Sequence, residues 1–75
     1  MPGITACNWR IIEHVLLRAG FEFARQTGEH RAYVKDPQPR PVIVPEFDDV
    51  PAAVIRNIIE NAHISQEEYF RLLPG

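Results

Sequence analysis

Arg25-Gln26-Thr27-Gly28-Glu29-His30-Arg31 is the stretch on which the reading of this 75-residue chain turns. A glycine able to take a positive φ lies between two runs that alternate apolar and polar residues, the mark of a hairpin. That arrangement puts His30 at the start of the returning strand, near an edge rather than in a core. Histidine, with an ordinary pKa of about 6.5, gives and takes protons near neutral pH. The arginines around it, Arg25 and Arg31, are the residue type that holds phosphate in bidentate fashion. Together they point to phosphodiester chemistry or phosphate binding.

Working outward, Phe21 and Phe23 alternate with Glu22 and Ala24, as in a half-buried strand that ends at Thr27-Gly28. The returning strand runs from about His30 to Lys35, with His30, Ala32 and Val34 on one face and Arg31, Tyr33 and Lys35 on the other. Asp36-Pro37-Gln38-Pro39-Arg40-Pro41 cannot be regular structure, because its prolines remove donors and fix φ. A third short strand, Val42-Ile43-Val44, stops at Pro45, and three strands on short connections make an antiparallel meander.

Ahead of the sheet, Asn8 is a helix N-cap, and Trp9, Ile12, Leu16 and Ala19, widened by Ile11 and Val15, form one apolar stripe closed by Gly20. After it, Pro51 suits a first helical turn preceded by Asp48 and Asp49, and Val54, Ile55, Ile58, Ile59 and Ala62 form a second stripe ending near His63. Ser65-Gln66-Glu67-Glu68 has capping-box spacing and predicts a last short helix carrying Tyr69, Phe70, Leu72 and Leu73. Trp9, Phe21, Phe23 and the isoleucines are expected in the core. The expectation is a single α+β domain over residues 1–75, core about 9–73. Its three-stranded antiparallel sheet is covered on one face by both longer helices and left open on the other.

A chain this short buries only about 60% of its unfolded surface, so its stability is limited. One cysteine, Cys7, rules out an internal disulfide, and no Cys/His spacing suits zinc. The start lacks a signal peptide's pattern, and no apolar run is long enough to span a bilayer; the single cysteine favours a reducing, cytoplasmic compartment, and the free protein is expected to be a monomer. The net charge of −2 is unevenly spread: residues 1–20 and 21–45 each carry +1, and residues 46–75 carry −4. Overall acidity argues against tight, sequence-independent nucleic-acid binding, which rests on phosphate neutralisation.

Several motifs in order resemble the HicA family, the toxin component of HicA–HicB toxin–antitoxin systems. They are Ala19-Gly20-Phe21, Arg25-Gln26-x-Gly28-x-His30, Val44-Pro45, Arg56-Asn57-Ile58-Ile59 and Ile64-Ser65, spread over nearly the whole chain. The resemblance implies a double-stranded-RNA-binding-like α-β-β-β-α fold. It also implies an endoribonuclease that cleaves mRNA without metal or other cofactor and is neutralised by a HicB-like antitoxin. The family's catalytic histidine stands in a Gly-Ser-His hairpin, a place His30 occupies here. Arg25, Gln26, Arg31, Lys35, Arg40 and Arg56 are the residues expected to contact RNA. The chain departs from the family at Glu29, for serine, at Phe47, for a histidine after Val-Pro-x, and at Ala53-Val54, for Gly-Thr. The alternative is a catalytically weak or inactive HicA-like module that binds RNA or the antitoxin.

Overall fold

In the computed structural model, which describes residues 3–75, helix α1 spans Trp9–Arg18. Asn8 has an extended backbone, and its side-chain oxygen accepts from the Arg10 amide at 2.9 Å, as an N-cap should. The chain leaves the helix through Gly20, whose φ of +98° lies where a Cβ is strained. Lys35 closes over this corner from just beyond the second strand. Its ammonium donates to the Ala19 carbonyl at 2.7 Å, and its Cε would lie 3.3 Å from a Cβ at Gly20. A cation thus caps the negative end of α1.

The sheet is the expected meander, β1 (Glu22–Thr27), β2 (His30–Val34) and β3 (Val42–Pro45), antiparallel in the order β1-β2-β3. Gly28 takes φ +59° at the first of two turn positions and Glu29 has no positive φ, the pattern of a type II′ hairpin turn. Register pairs Thr27 with His30, Gln26 with Arg31, Arg25 with Ala32 and Phe23 with Tyr33. Ala24 is left over as a β-bulge. Strict alternation puts Arg25 on the face of Phe23, and the extra residue moves it to the other side. On the far side of β2, His30 pairs with Pro45, Arg31 with Val44, Ala32 with Ile43 and Tyr33 with Val42.

Helices α2 (Ala52–Asn61) and α3 (Gln66–Leu72) complete the order α-β-β-β-α with the short C-terminal helix. Pro51 is the N-cap of α2 rather than its first helical residue, so Asp48 and Asp49 lie ahead of the helix, not in its first turn. The helix ends with His63 at φ +58°, the left-handed position usually filled by glycine, while the Ile64 amide reaches back to the Ile59 carbonyl at 2.9 Å. Ser65 caps α3 by accepting from the Glu68 amide at 3.1 Å. The Glu68 carboxylate, however, pairs with Arg71 at 2.7 Å, so only half of a capping box forms.

One face of the sheet, through Tyr33, Val42 and Val44, packs on Ile12, Val15, Leu16, Ile55 and Ile58 from the two longer helices. The N-terminal segment is tied to the loop after β3 by paired bonds between Cys7 and Val50 and by the Trp9 amide on the Phe47 carbonyl. Three expected core residues are not core: Phe23 is 45% exposed, Ile43 is 41% exposed, and Ile11 is only half-buried, outside the core cluster. Phe23 sits on the edge strand, beyond the helices' cover. Ile43 pairs with Ala32 on the open face. Among the described residues, no helix is long and apolar enough to cross a membrane.

Gly20→Ala should lower stability by about 1–3 kcal/mol in urea unfolding, because alanine cannot relax at φ +98°. Gly3→Ala, with open space around it and no positive φ, should leave the midpoint unchanged.

Candidate functional site

The hairpin and the bulge together decide which side chains share a face with His30. Residues opposite one another across an antiparallel pair project to the same side. Thr27, directly across from His30, and Arg25, one pair further along, therefore join it on the open face. His30, Thr27 and Arg25 are all exposed, and His30 makes no ion pair among the described residues. Ala32 is buried between them and Ile43, and with Val34 it makes an apolar floor beside the polar group. An imidazole, a hydroxyl and a guanidinium on a flat, open surface can meet a phosphate diester without a pocket. Thr27 escaped sequence reading, although a threonine immediately before the hairpin glycine faces whatever opens the next strand.

Arg31 points to the other side. That is the face the alternation of the strand predicts, and there the guanidinium is already engaged: its Nε donates to the Tyr33 hydroxyl at 3.0 Å, one terminal nitrogen to Gln26 at 2.9 Å and Glu46 at 3.4 Å, the other to Glu13 at 3.0 Å. Its plane lies between the rings of Trp9 and Phe23, with Cζ 4.5 and 4.3 Å from the centroids. The hydrogen bond to Tyr33, and then the Glu13 carboxylate, raise its pKa further. Tyr33 in turn donates to the same Glu13 oxygen, and burial pushes its phenol up to about 12. A phosphate could reach this guanidinium only by displacing two carboxylates.

Gln26 is similarly engaged, donating to the Gly28 carbonyl at 3.0 Å and to Glu46 at 3.2 Å. Lys35 holds the end of α1, and Arg40 lies in the loop between β2 and β3, at the end of β2 remote from His30. There, Arg40 lines a shallow groove of about 640 Å³ with Gln38, Glu60, Asn61 and His63. Arg56 is exposed on α2, on the helical side of the sheet. Of the six residues expected to contact RNA, the fold brings Arg25 alone onto the face of His30. Glu13 and Glu46, which hold Arg31, were missed. For Glu46 a signal existed, since a carboxylate directly after the strand-ending Val44-Pro45 must fall beside the hairpin of a meander. Among the described residues, no three His, Cys, Asp or Glu side chains gather in a way that could hold a metal ion.

A family model described as HicA toxin of bacterial toxin-antitoxin matches residues 9–64 of the chain. Comparison with curated proteins returns no match.

Tyr33→Phe removes a donor to Glu13 and an acceptor for Arg31, and should lower stability by about 1–3 kcal/mol at neutral pH. A phenol whose folded pKa is raised stabilises the fold below its unfolded value of about 10, and that contribution is lost as pH climbs towards 12. Tyr69, also raised by burial, behaves in the same sense. Urea midpoints measured from neutral to alkaline pH should therefore fall less steeply for Tyr33→Phe than for the native chain; equal slopes would contradict the assignment.

Proposed function

The chain belongs to the HicA toxin family, and on that premise we propose that it is an RNA-cutting toxin in which His30 moves the protons. RNA carries its own nucleophile, the 2′-hydroxyl. His30 takes that hydroxyl's proton as the 2′-oxygen bonds to phosphorus, and the bond from phosphorus to the 5′-oxygen breaks. The departing oxygen gains a proton from imidazolium or water, leaving a 2′,3′-cyclic phosphate and a 5′-hydroxyl. Proton transfer of this kind contributes about 10²- to 10⁴-fold. Arg25 holds the non-bridging phosphate oxygens and the charge that grows on them, with the Thr27 hydroxyl as a further donor.

The observation that carries the reading is the exposed imidazole on the open sheet face, with Arg25 and Thr27 on the same side. The flatness of that face suits a long polymer better than a small metabolite, which calls for an enclosing pocket. Its openness also leaves room for a HicB-like antitoxin to cover it. Arg40 and Arg56 stand too far round the fold to share in the chemistry; any contact they make is with flanking RNA backbone. Lys35, bonded to the end of α1, has first a structural duty.

Expression of the native chain in bacteria should arrest growth and deplete mRNA, and His30→Ala should abolish both effects while keeping the native circular-dichroism spectrum. With purified protein and a short RNA, His30→Ala should cut at least about a hundredfold more slowly, and Arg25→Ala should be slower by about tenfold or more. If the native chain and His30→Ala are equally harmless and equally inert on RNA, the protein is a binding module and the nuclease reading fails.

A further inference from the structure

The turn that carries His30 is held from behind. Residues 25–30 are all exposed, and a two-residue hairpin tip with so little burial is a place where a strand end frays. Two carbonyls precede the His30 side chain along the chain, those of Gly28 and Glu29, and both are gripped. The Glu46 amide donates to the Glu29 carbonyl at 2.7 Å, which belongs to the same peptide unit as the His30 nitrogen. Gln26 Nε2 donates to the Gly28 carbonyl at 3.0 Å.

These two grips are joined to each other. The carboxylate of Glu46 accepts from Gln26 Nε2 at 3.2 Å and from Arg31 at 3.4 Å, while Arg31 donates to the Gln26 carbonyl oxygen at 2.9 Å. The result is a closed ring of three side chains, Gln26, Arg31 and Glu46, anchored to α1 through the pair between Arg31 and Glu13. Gln26 and Arg31 face each other across the hairpin on the side opposite to His30. The ring therefore steadies the backbone without standing in the path of a molecule bound on the open face.

We infer that Gln26, Arg31 and Glu46 are positioning residues, which fix the turn so that the His30 imidazole is presented in one place. The inference rests on the nuclease reading of His30 for its effect on rate, and on hydrogen bonding alone for its effect on the turn. Misplacement of a reacting group by about 1 Å is enough to slow a reaction about 100-fold. Gln26 is the most informative member, because its removal leaves both charges of the ring in place.

Gln26→Ala and Glu46→Gln are compared with the native chain by steady-state cleavage of a short RNA and by amide hydrogen exchange. Gln26→Ala should lower kcat about tenfold with KM changed less than about twofold. It should also speed exchange of the Glu46 amide, whose hydrogen bond spans the clamp, about tenfold, while amides in α1 are unchanged. Glu46→Gln keeps an acceptor oxygen and should recover most of kcat, which a requirement for charge at that position would forbid. A raised KM at constant kcat would make Gln26 an RNA ligand and overturn the inference, as would unaltered exchange at Glu46 or acceleration throughout the chain. A native chain that does not cut RNA defeats the nuclease reading instead, and exchange at Glu46 then decides for or against the clamp.

Discussion

One guanidinium holds this small domain together in a way that no apolar contact does. Arg31 lies between two aromatic rings, Trp9 from α1 and Phe23 from β1, and is bonded to carboxylates from α1 and from the end of β3. A helix, the first two strands and the residue that follows the third therefore meet at one side chain. The arrangement works because it is only partly buried: the Arg31 side chain keeps 15% of its exposure, so both charges retain some water while gaining partners of fixed geometry. Tyr33 extends the same cluster into the core, its ring buried among aliphatic side chains and its hydroxyl returned to the polar group at the rim. The apolar core sets how the layers stack; the Arg31 cluster sets where along the sheet the first helix sits.

That use of Arg31 changes what the chain's charge means. Of the cations on or beside the sheet, Arg31 is neutralised by Glu13 and Glu46, Lys35 caps a helix, and Arg25 is left for the open face. A surface with so few free cations cannot draw in nucleic acid by broad electrostatic attraction, which grows with each phosphate neutralised. It is suited to local contact at one phosphate, made by groups whose positions are settled beforehand. An acidic net charge and the proposed phosphate-handling role are compatible on those terms.

Most of the scaffold was legible in the residues. The apolar stripe from Trp9 to Leu16, the stop at Gly20, the turn at Gly28 and the prolines of the 36–41 loop are local signals, and each produced the element it announced. The layer facing the helices followed from them. Sequence pattern failed where a side chain's surroundings come from residues far along the chain. Glu13 and Arg31 are eighteen positions apart, and nothing in their spacing announces that they pair. Lys35 reads as one more cation on a strand until the corner at Gly20 is folded against it. Phe23 and Ile43 have core composition but stand at an edge and on the open face, where no helix reaches. The candidate site was half visible: His30 and its turn could be read directly, whereas its neighbours depended on a register that a strictly alternating strand misstates.

The leftover residue at Ala24 has a meaning for how such a surface is encoded. Along a strand, odd and even positions belong to opposite layers, so membership is a matter of parity. Inserting one unpaired alanine inverts that parity for everything between it and the turn. Arg25 thereby comes to the outer layer and Gln26 to the inner one, and neither residue's identity had to change. Which of two neighbouring side chains reaches the open face and which the helix side is thus written in a count of residues, by a methyl-bearing position.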